Sequence, residues 1–217
     1  VSPAQPRHQV PDARSWEYAD GFVAPSPALQ EAREAARADQ WEVLSNGTTA
    51  LLAFLTRTMQ ASSVVTIGTD AGVSALALLE GMSDHGVLTS IDPDAERQAA
   101  ARKVLSLARI RSNQVRLITG TPLDVLPKLR DGAYDMVLIN GDRLEYVEYV
   151  SQALRLLRTG GIVVVNDALA NNHVADPDNE DDDTLIIRET LDSVLETEEF
   201  TPVLLPVGEG LLLATKS

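Results

Sequence analysis

The sequence contains no cysteine. Disulfides, thiolate metal sites and cysteine nucleophiles are therefore excluded together. Its three histidines, His8, His85 and His173, fall in expected loops and share no metal-ligand spacing. No apolar run reaches the ~18 residues of a membrane-spanning helix, and no membrane partner is expected. The start, Val1 to Ala19, is polar and proline-rich, unlike a secretory leader, so the expected location is cytoplasmic. Positive charge is scarce: 18 Lys and Arg stand against 32 Asp and Glu, a formal net charge of −14. Nucleic-acid binding rests on basic side chains neutralising phosphates, so no nucleic-acid partner is expected. The same charge favours solubility and tilts the expected substrate toward a small neutral or cationic molecule.

The 217 residues, 44% of them hydrophobic, are enough for one large domain or a domain with an appendage. Residues 1–25 read as an N-terminal arm with little order of its own. Residues 26–217 read as one domain, with a helical segment over 26–60 and a core over 61–217. Ser26-Pro27 is an N-cap followed by proline at the first helical position, predicting a helix to about Gln40. A second helix is predicted after Asn46-Gly47, with Leu51, Leu52, Leu55 and Met59 at helical spacing. From Ser63 short β-branched runs alternate with helices. The predicted strands are Val64–Ile67, Val87–Ile91, Val115–Ile118, Met136–Ile139 and Ile162–Val165, with helices near 73–82, 93–108, 122–130 and 143–157. Such alternation means βαβ units and a parallel sheet covered on both faces. After a last helix carrying Ile187, Leu191 and Val194, Val203–Leu205 and Leu211–Ala214 flank Gly208-Glu209-Gly210, a turn too short for anything but an antiparallel pair. The fold class is thus α/β: a Rossmann-like, seven-stranded, mostly parallel sheet closed by a C-terminal antiparallel hairpin strand. Six of the eight residues from Asp176 to Asp183 are acidic, and this run reads as a solvated loop.

The first strand leads into Gly68-Thr69-Asp70-Ala71-Gly72-Val73-Ser74. Glycine permits a sharp turn and a close approach, and the free amides at the start of the next helix can donate to a ligand. The spacing is G-x-x-x-G, not the G-x-G-x-x-G of dinucleotide enzymes. Asp92 ends the second strand 24 residues beyond Gly68, where a carboxylate can accept from ribose hydroxyls; Pro93 behind it also allows a helix-capping role. Asn140, Asp142 and Arg143 follow the fourth strand, and Asn166 and Asp167 end the fifth. In an open α/β sheet these strand ends face the ligand crevice. No G-x-S-x-G elbow and no Walker lysine occurs. Trp16, Tyr18 and Trp41 read as packing or interface residues, with the arm a candidate cover for a substrate.

The G-x-x-x-G-x-S loop, the acid after strand two, Leu156-Leu157-Arg158-Thr159-Gly160-Gly161, Asn171 to Pro177 and the closing hairpin resemble the class I S-adenosylmethionine-dependent O-methyltransferases of the catechol and caffeoyl-CoA type, in a bacterial branch. The resemblance covers roughly residues 26–217. It implies methyl transfer to a hydroxyl of a small molecule by in-line displacement, and a homodimer. Gly68, Thr69, Asp70, Gly72 and Ser74, with Leu44 nearby, would hold the methionine end of the cofactor. Asp92 and Pro93 would lie at the ribose, Thr121, Pro122 and Leu123 at the adenine, and Asn140 beside the sulfonium. Metal-dependent members of that family use Asp, then Asp-Asn, for magnesium, and a lysine as base. Here those positions are Asn140, Asn166-Asp167 and Arg143, and the acid usual in strand one is Thr66, with Asp70 its candidate replacement. Magnesium prefers charged oxygen ligands, so metal binding is expected to be weak or absent unless Asp142 substitutes. Arginine stays protonated, which leaves Asp142 as the candidate base and Arg143 as the source of a favourable field. Two rival readings remain at this level: a non-catalytic S-adenosylmethionine-binding protein and a nicotinamide-dependent oxidoreductase.

Overall fold

The computed structural model describes residues 10–217. Seven strands form one sheet: β1 (Ser63–Ile67), β2 (Val87–Asp92), β3 (Val115–Thr119), β4 (Tyr134–Ile139), β5 (Leu157–Asn166), β6 (Phe200–Leu205) and β7 (Leu211–Lys216). Their order is β3-β2-β1-β4-β5-β7-β6. The first five are parallel, and β7 lies antiparallel between β5 and β6.

Period-two alternation along the central strands divides the core into two layers. On one side Val65, Ile67, Val137, Ile139, Val163 and Val165 pack together. On the other lie Val64, Leu88, Met136, Leu138 and Val164. Helices cover both layers: α1 (Ala13–Asp20), α2 (Pro27–Ala38), α3 (Asn46–Thr58), α4 (Val73–Gly81), α5 (Ala95–Leu107), α6 (Pro122–Val125), α7 (Tyr146–Leu156) and α8 (Asp182–Glu196). Helix α4 is apolar apart from Ser74 and Glu80, and Val73 to Leu78 are all buried, as its place under α3 requires.

Several local expectations need correction. The described part of the arm is not without order: α1 begins at an Asp12 cap accepting from the Ser15 amide, and Pro11 precedes it, where it costs the helix no hydrogen bond, while residues 1–9 lie outside the described residues. Helix α5 is capped by Asp94, which accepts from the Glu96 and Arg97 amides, so Asp92 is free of that task. The stretch 122–130 is one helical turn followed by a 3-10 turn, because Pro127 denies the helix a donor. Likewise 143–157 opens with a 3-10 turn at Arg143–Glu145 before α7. Strand β5 starts at Leu157, earlier than its β-branched run suggests, across a bulge opposite Tyr134 and Met136. The acidic run is only partly a loop, for Asp182 and Asp183 open α8.

At the amino-terminal end of β4, away from the crevice, Asp135 accepts from the Ser62 amide at 2.7 Å and the Ser63 amide at 2.9 Å, and pairs with Arg158 at 2.7 Å. Burial opposes its charge, yet these partners hold its carboxyl below the ordinary value. A depressed carboxylate contributes stability above its unfolded pKa and loses it as pH falls. Asp135→Ala is expected to lower the melting temperature at neutral pH by roughly 5 °C, on the order of 2 kcal/mol. Thermal melts of both proteins should converge only as pH falls through the lowered folded pKa, below the ordinary carboxylate value, where the wild-type carboxylate is protonated too.

Candidate functional site

Strand order reverses between β1 and β4, which opens a crevice at their carboxyl ends. The backbone after β1 is contorted to line it. Gly68 and Gly72 have φ +89° and +95°, and Asp70 and Ala71 both have φ +48°. Two adjacent non-glycine residues in the left-handed region store strain that the surrounding contacts must hold. They do so from three sides. The Gly68 amide donates to Ile91 O at 2.8 Å. The Thr69 amide donates to Asp92 Oδ2 at 2.8 Å, and the Thr69 and Ser90 hydroxyls are 3.0 Å apart. Ser74 Oγ donates to Thr69 O at 3.3 Å, and Thr66 Oγ1 to Gly68 O at 2.9 Å. Thr69 and Ser74 are fully buried, and Gly72 faces α5, where a Cβ would come within 3.0 Å of Ala101. These residues shape the loop from behind.

Two adjoining clefts open in front of it. One, of about 420 Å³, is lined by Gly68, Asp92, Pro93, Thr121, Pro122, Asn140 and Tyr149, among others. Asp92 is buried; besides Thr69 it accepts from the Asp94 amide at 2.8 Å through Oδ1. Each oxygen keeps a second lone pair, so two more donors can be served. Leu123 does not line this cleft; its side chain packs on the core below. The second cleft, of about 370 Å³, holds Leu44, Asp70, Asn140, Asp142, Arg143, Asn166 and Asp167, with Asp183 and Glu209. Asn140 and Asp142 line both, so the clefts meet there.

Asp70 is 5% exposed, and its carboxylate accepts from the Leu44 amide at 3.5 Å. Burial, only partly offset by Leu44 and Arg33, pushes its carboxyl up to about 7. Asp142 is exposed, lacking the burial expected of a base; Oδ1 accepts from the Leu144 amide at 3.1 Å.

The three residues at the magnesium positions do not fit that ion. Asn166 Nδ2 donates to Asn140 Oδ1 at 3.0 Å, so the two amides satisfy each other. Asp167 is buried and ion-paired with the Arg143 guanidinium, which also reaches Asp183 at 2.9 Å. Burial raises the Asp167 carboxyl above its ordinary value, while Arg143 draws it down. In return, although partial burial works against it, Asp183 and Asp167 raise Arg143. One carboxylate already neutralised and two mutually bonded amides are a poor donor set for a hard cation that demands octahedral oxygen ligation. Asp142 does not repair it, being tied to Leu144. Among the described residues no group of three or more His, Asp or Glu side chains gathers as a metal site.

Asp183 and Glu209 escaped the sequence reading. Asp183 lay inside a run that looked solvated, and its partner is 40 residues away. Glu209 lay in a hairpin turn. A fold-level contact is the only signal for either.

The chain matches the O-methyltransferase family over residues 22–217. A probable O-methyltransferase of Mycobacterium tuberculosis is 37% identical over 201 residues, 93% of this chain and 90% of that one. A putative O-methyltransferase of a Mycobacterium species is 42% identical over 167 residues, covering 77% and 76% of the two chains. Among solved structures, a Corynebacterium glutamicum protein superposes with a TM-score of 0.86 at 30% identity, covering 92% of this chain and 94% of that one. The O-methyltransferase TomG of Streptomyces achromogenes, solved in complex with S-adenosylmethionine, superposes at 0.85 with 26% identity over 96% of this chain and 100% of that one. With a match that runs from before α2 to the last residue, this chain belongs to the O-methyltransferase family.

Proposed function

We propose that the two clefts meeting at Asn140 hold S-adenosylmethionine and the hydroxyl it methylates. The protein is an S-adenosylmethionine-dependent O-methyltransferase. The residue roles within it are our reading. The observation that carries them is the continuity of the clefts: Asp92 and Thr121 line one end, Asp70 lines the other, and Asn140 stands at the junction. Asp92 would receive the ribose hydroxyls and Thr121 and Pro122 would flank the base. Asp70 would pair with the ammonium and Asn140 would lie beside the sulfonium. S-adenosylmethionine, when bound, supplies an electrophilic methyl group whose transfer to oxygen leaves a neutral thioether. The protein's part is alignment and removal of the acceptor's proton.

Asp142 would take that proton through a water, a reading supported by its exposed place where the clefts join. Arg143 has less free charge to offer than its sequence position suggests, because Asp167 and Asp183 both bind it. Its role is then to keep Asp167 ionised without a metal ion. Radiolabelled methyl transfer to a phenol panel tests the whole reading. Rates in EDTA and in millimolar magnesium should agree, and Asp142→Ala and Arg143→Ala should each lower kcat/KM by about tenfold. Unchanged turnover in Asp142→Ala would remove it as the base, and strict dependence on magnesium would refute the guanidinium's role.

A homodimer is proposed with it. Tyr18, in the last turn of α1, and Phe22, just after it, are exposed and meet at a tilt with ring centroids 6.3 Å apart, an apolar face suited to a partner subunit. Light scattering should give about twice the 23.4 kDa chain mass.

A further inference from the structure

Next to the polar clefts, α1, the start of α3 and the β6–β7 turn enclose a chamber of about 680 Å³. Trp16, Val23, Leu51, Leu169, Leu205 and Val207 make its walls largely apolar. Asp20 closes one corner: its Oδ1 accepts from Ser45 Oγ at 2.7 Å and from the Gly47 amide at 2.8 Å, which fixes α1 against α3. Glu209 lines both this chamber and the cleft containing Asn140 and Asp167, so the two spaces meet at its side chain.

The charges around the chamber are of one sign. Among the described residues, Glu17, Asp20 and Glu209 line it, and no Lys, Arg or His does. The cleft beyond has two cations, and both are engaged: Arg143 by Asp167 and Asp183, Arg97 beside Asp94 at 3.6 Å. Asp20 has Oδ1 held by two neutral donors and keeps its charge. Among the described residues the Glu209 carboxylate forms no hydrogen bond or ion pair, although it sits between the chamber and the reacting centre.

We propose that this chamber seats the acceptor's apolar ring and that Glu209 selects acceptors carrying a protonated amine over those carrying a carboxylate or phosphate. The proposal rests on the O-methyltransferase reading and adds the substrate class to it. The volume suits a compound of one or two rings, and the walls reward its transfer from water. Among the described residues, an anion inside would face acidic groups and no lining cation. A cation would pair with Glu209 and relieve the repulsion that Asp167 and Glu42 exert on it, which adds to burial in raising its carboxyl.

The test uses the full chain saturated with S-adenosylhomocysteine, whose own binding is measured first. Calorimetry then compares three phenols that differ in charge: tyramine, 4-ethylphenol and 4-hydroxyphenylacetate. Tyramine is expected to bind about tenfold more tightly than 4-hydroxyphenylacetate, with 4-ethylphenol between them. Glu209→Gln, at an exposed turn, should bring all three within about threefold of one another. Ala50→Phe, which fills the chamber, should weaken all three by at least about tenfold while S-adenosylhomocysteine binding is kept. Should Ala50→Phe fail to fold, Glu209→Gln decides alone. The proposal is overturned if the carboxylate binds as tightly as the amine, if Glu209→Gln keeps the wild-type order, or if none of the phenols binds at millimolar concentration. Those outcomes leave the methyltransferase reading standing when S-adenosylhomocysteine binds; a failure of S-adenosylhomocysteine itself to bind brings down both.

Discussion

Gly68→Ala is expected to cost the protein at least about a hundredfold in S-adenosylhomocysteine affinity and on the order of 3 kcal/mol in stability. Two independent penalties fall on one methyl group. Gly68 has φ +89°, which an L side chain rarely adopts. A Cβ built there lies 2.1 Å from the Asn140 carbonyl oxygen and 2.6 Å from its carbon. Both are backbone atoms of β4's end, and no flexible side chain can yield in their place. Either the loop or Asn140 must move, and both line the cofactor cleft. Gly132→Ala separates strain from contact. It also has a left-handed φ, +59°, but its Cβ would meet nothing within 4 Å. That variant should lose only about 1 kcal/mol and bind the ligand normally. Calorimetry and thermal melts on the pair decide the matter; a folded Gly68→Ala with wild-type affinity would show that the cofactor does not lie against this turn.

Asp70→Asn is expected to move stability and affinity in opposite directions. Folding lifts the Asp70 carboxyl from its ordinary 3.8 to about 7, because burial outweighs the Leu44 amide and Arg33. Between those values the folded chain holds a proton that the unfolded chain has released. Stability contributed here therefore falls as pH rises from 3.8 to about 7, and the full penalty is present above. Asparagine removes the charge and tolerates φ +48°, so at pH 8 the ligand-free variant should melt higher, by up to a few kcal/mol in stability. The ammonium of the cofactor needs the ionised form. Wild-type affinity should climb by nearly tenfold per unit up to about pH 7 and then level off. In Asp70→Asn the profile should be flat, and the affinity at pH 8 lower by about a hundredfold. A variant that keeps both the affinity and the pH slope would show that the ammonium is neutralised elsewhere.

Much of the architecture was legible because it follows from local patterns. Val64 to Ile67 and Met136 to Ile139 are apolar on both faces, which only a sheet covered twice can accommodate. The short turn at Gly208-Glu209-Gly210 makes the closing hairpin readable, and both glycines take positive φ. Element ends were harder to read, since they turn on single competing caps: Asp94 takes α5 from Asp92, and Asp12 starts a helix in a stretch whose prolines argued against one.

The fold, the loop at Gly68, the acid at Asp92 and the substitutions at the metal positions can all be read along the chain, because each is set by residue type and spacing at one strand end. Whether those substitutions leave a usable cation site was a different kind of question. It depends on which charges approach one another in space, and pairs 24 or 40 residues apart leave no periodic trace. Only the tertiary structure brings Arg143 between Asp167 and Asp183, turns Asn140 and Asn166 toward each other, and buries Asp70 while leaving Asp142 in water. Pairing and desolvation are properties of the packed molecule, and they decide what the carboxylates at these strand ends can do.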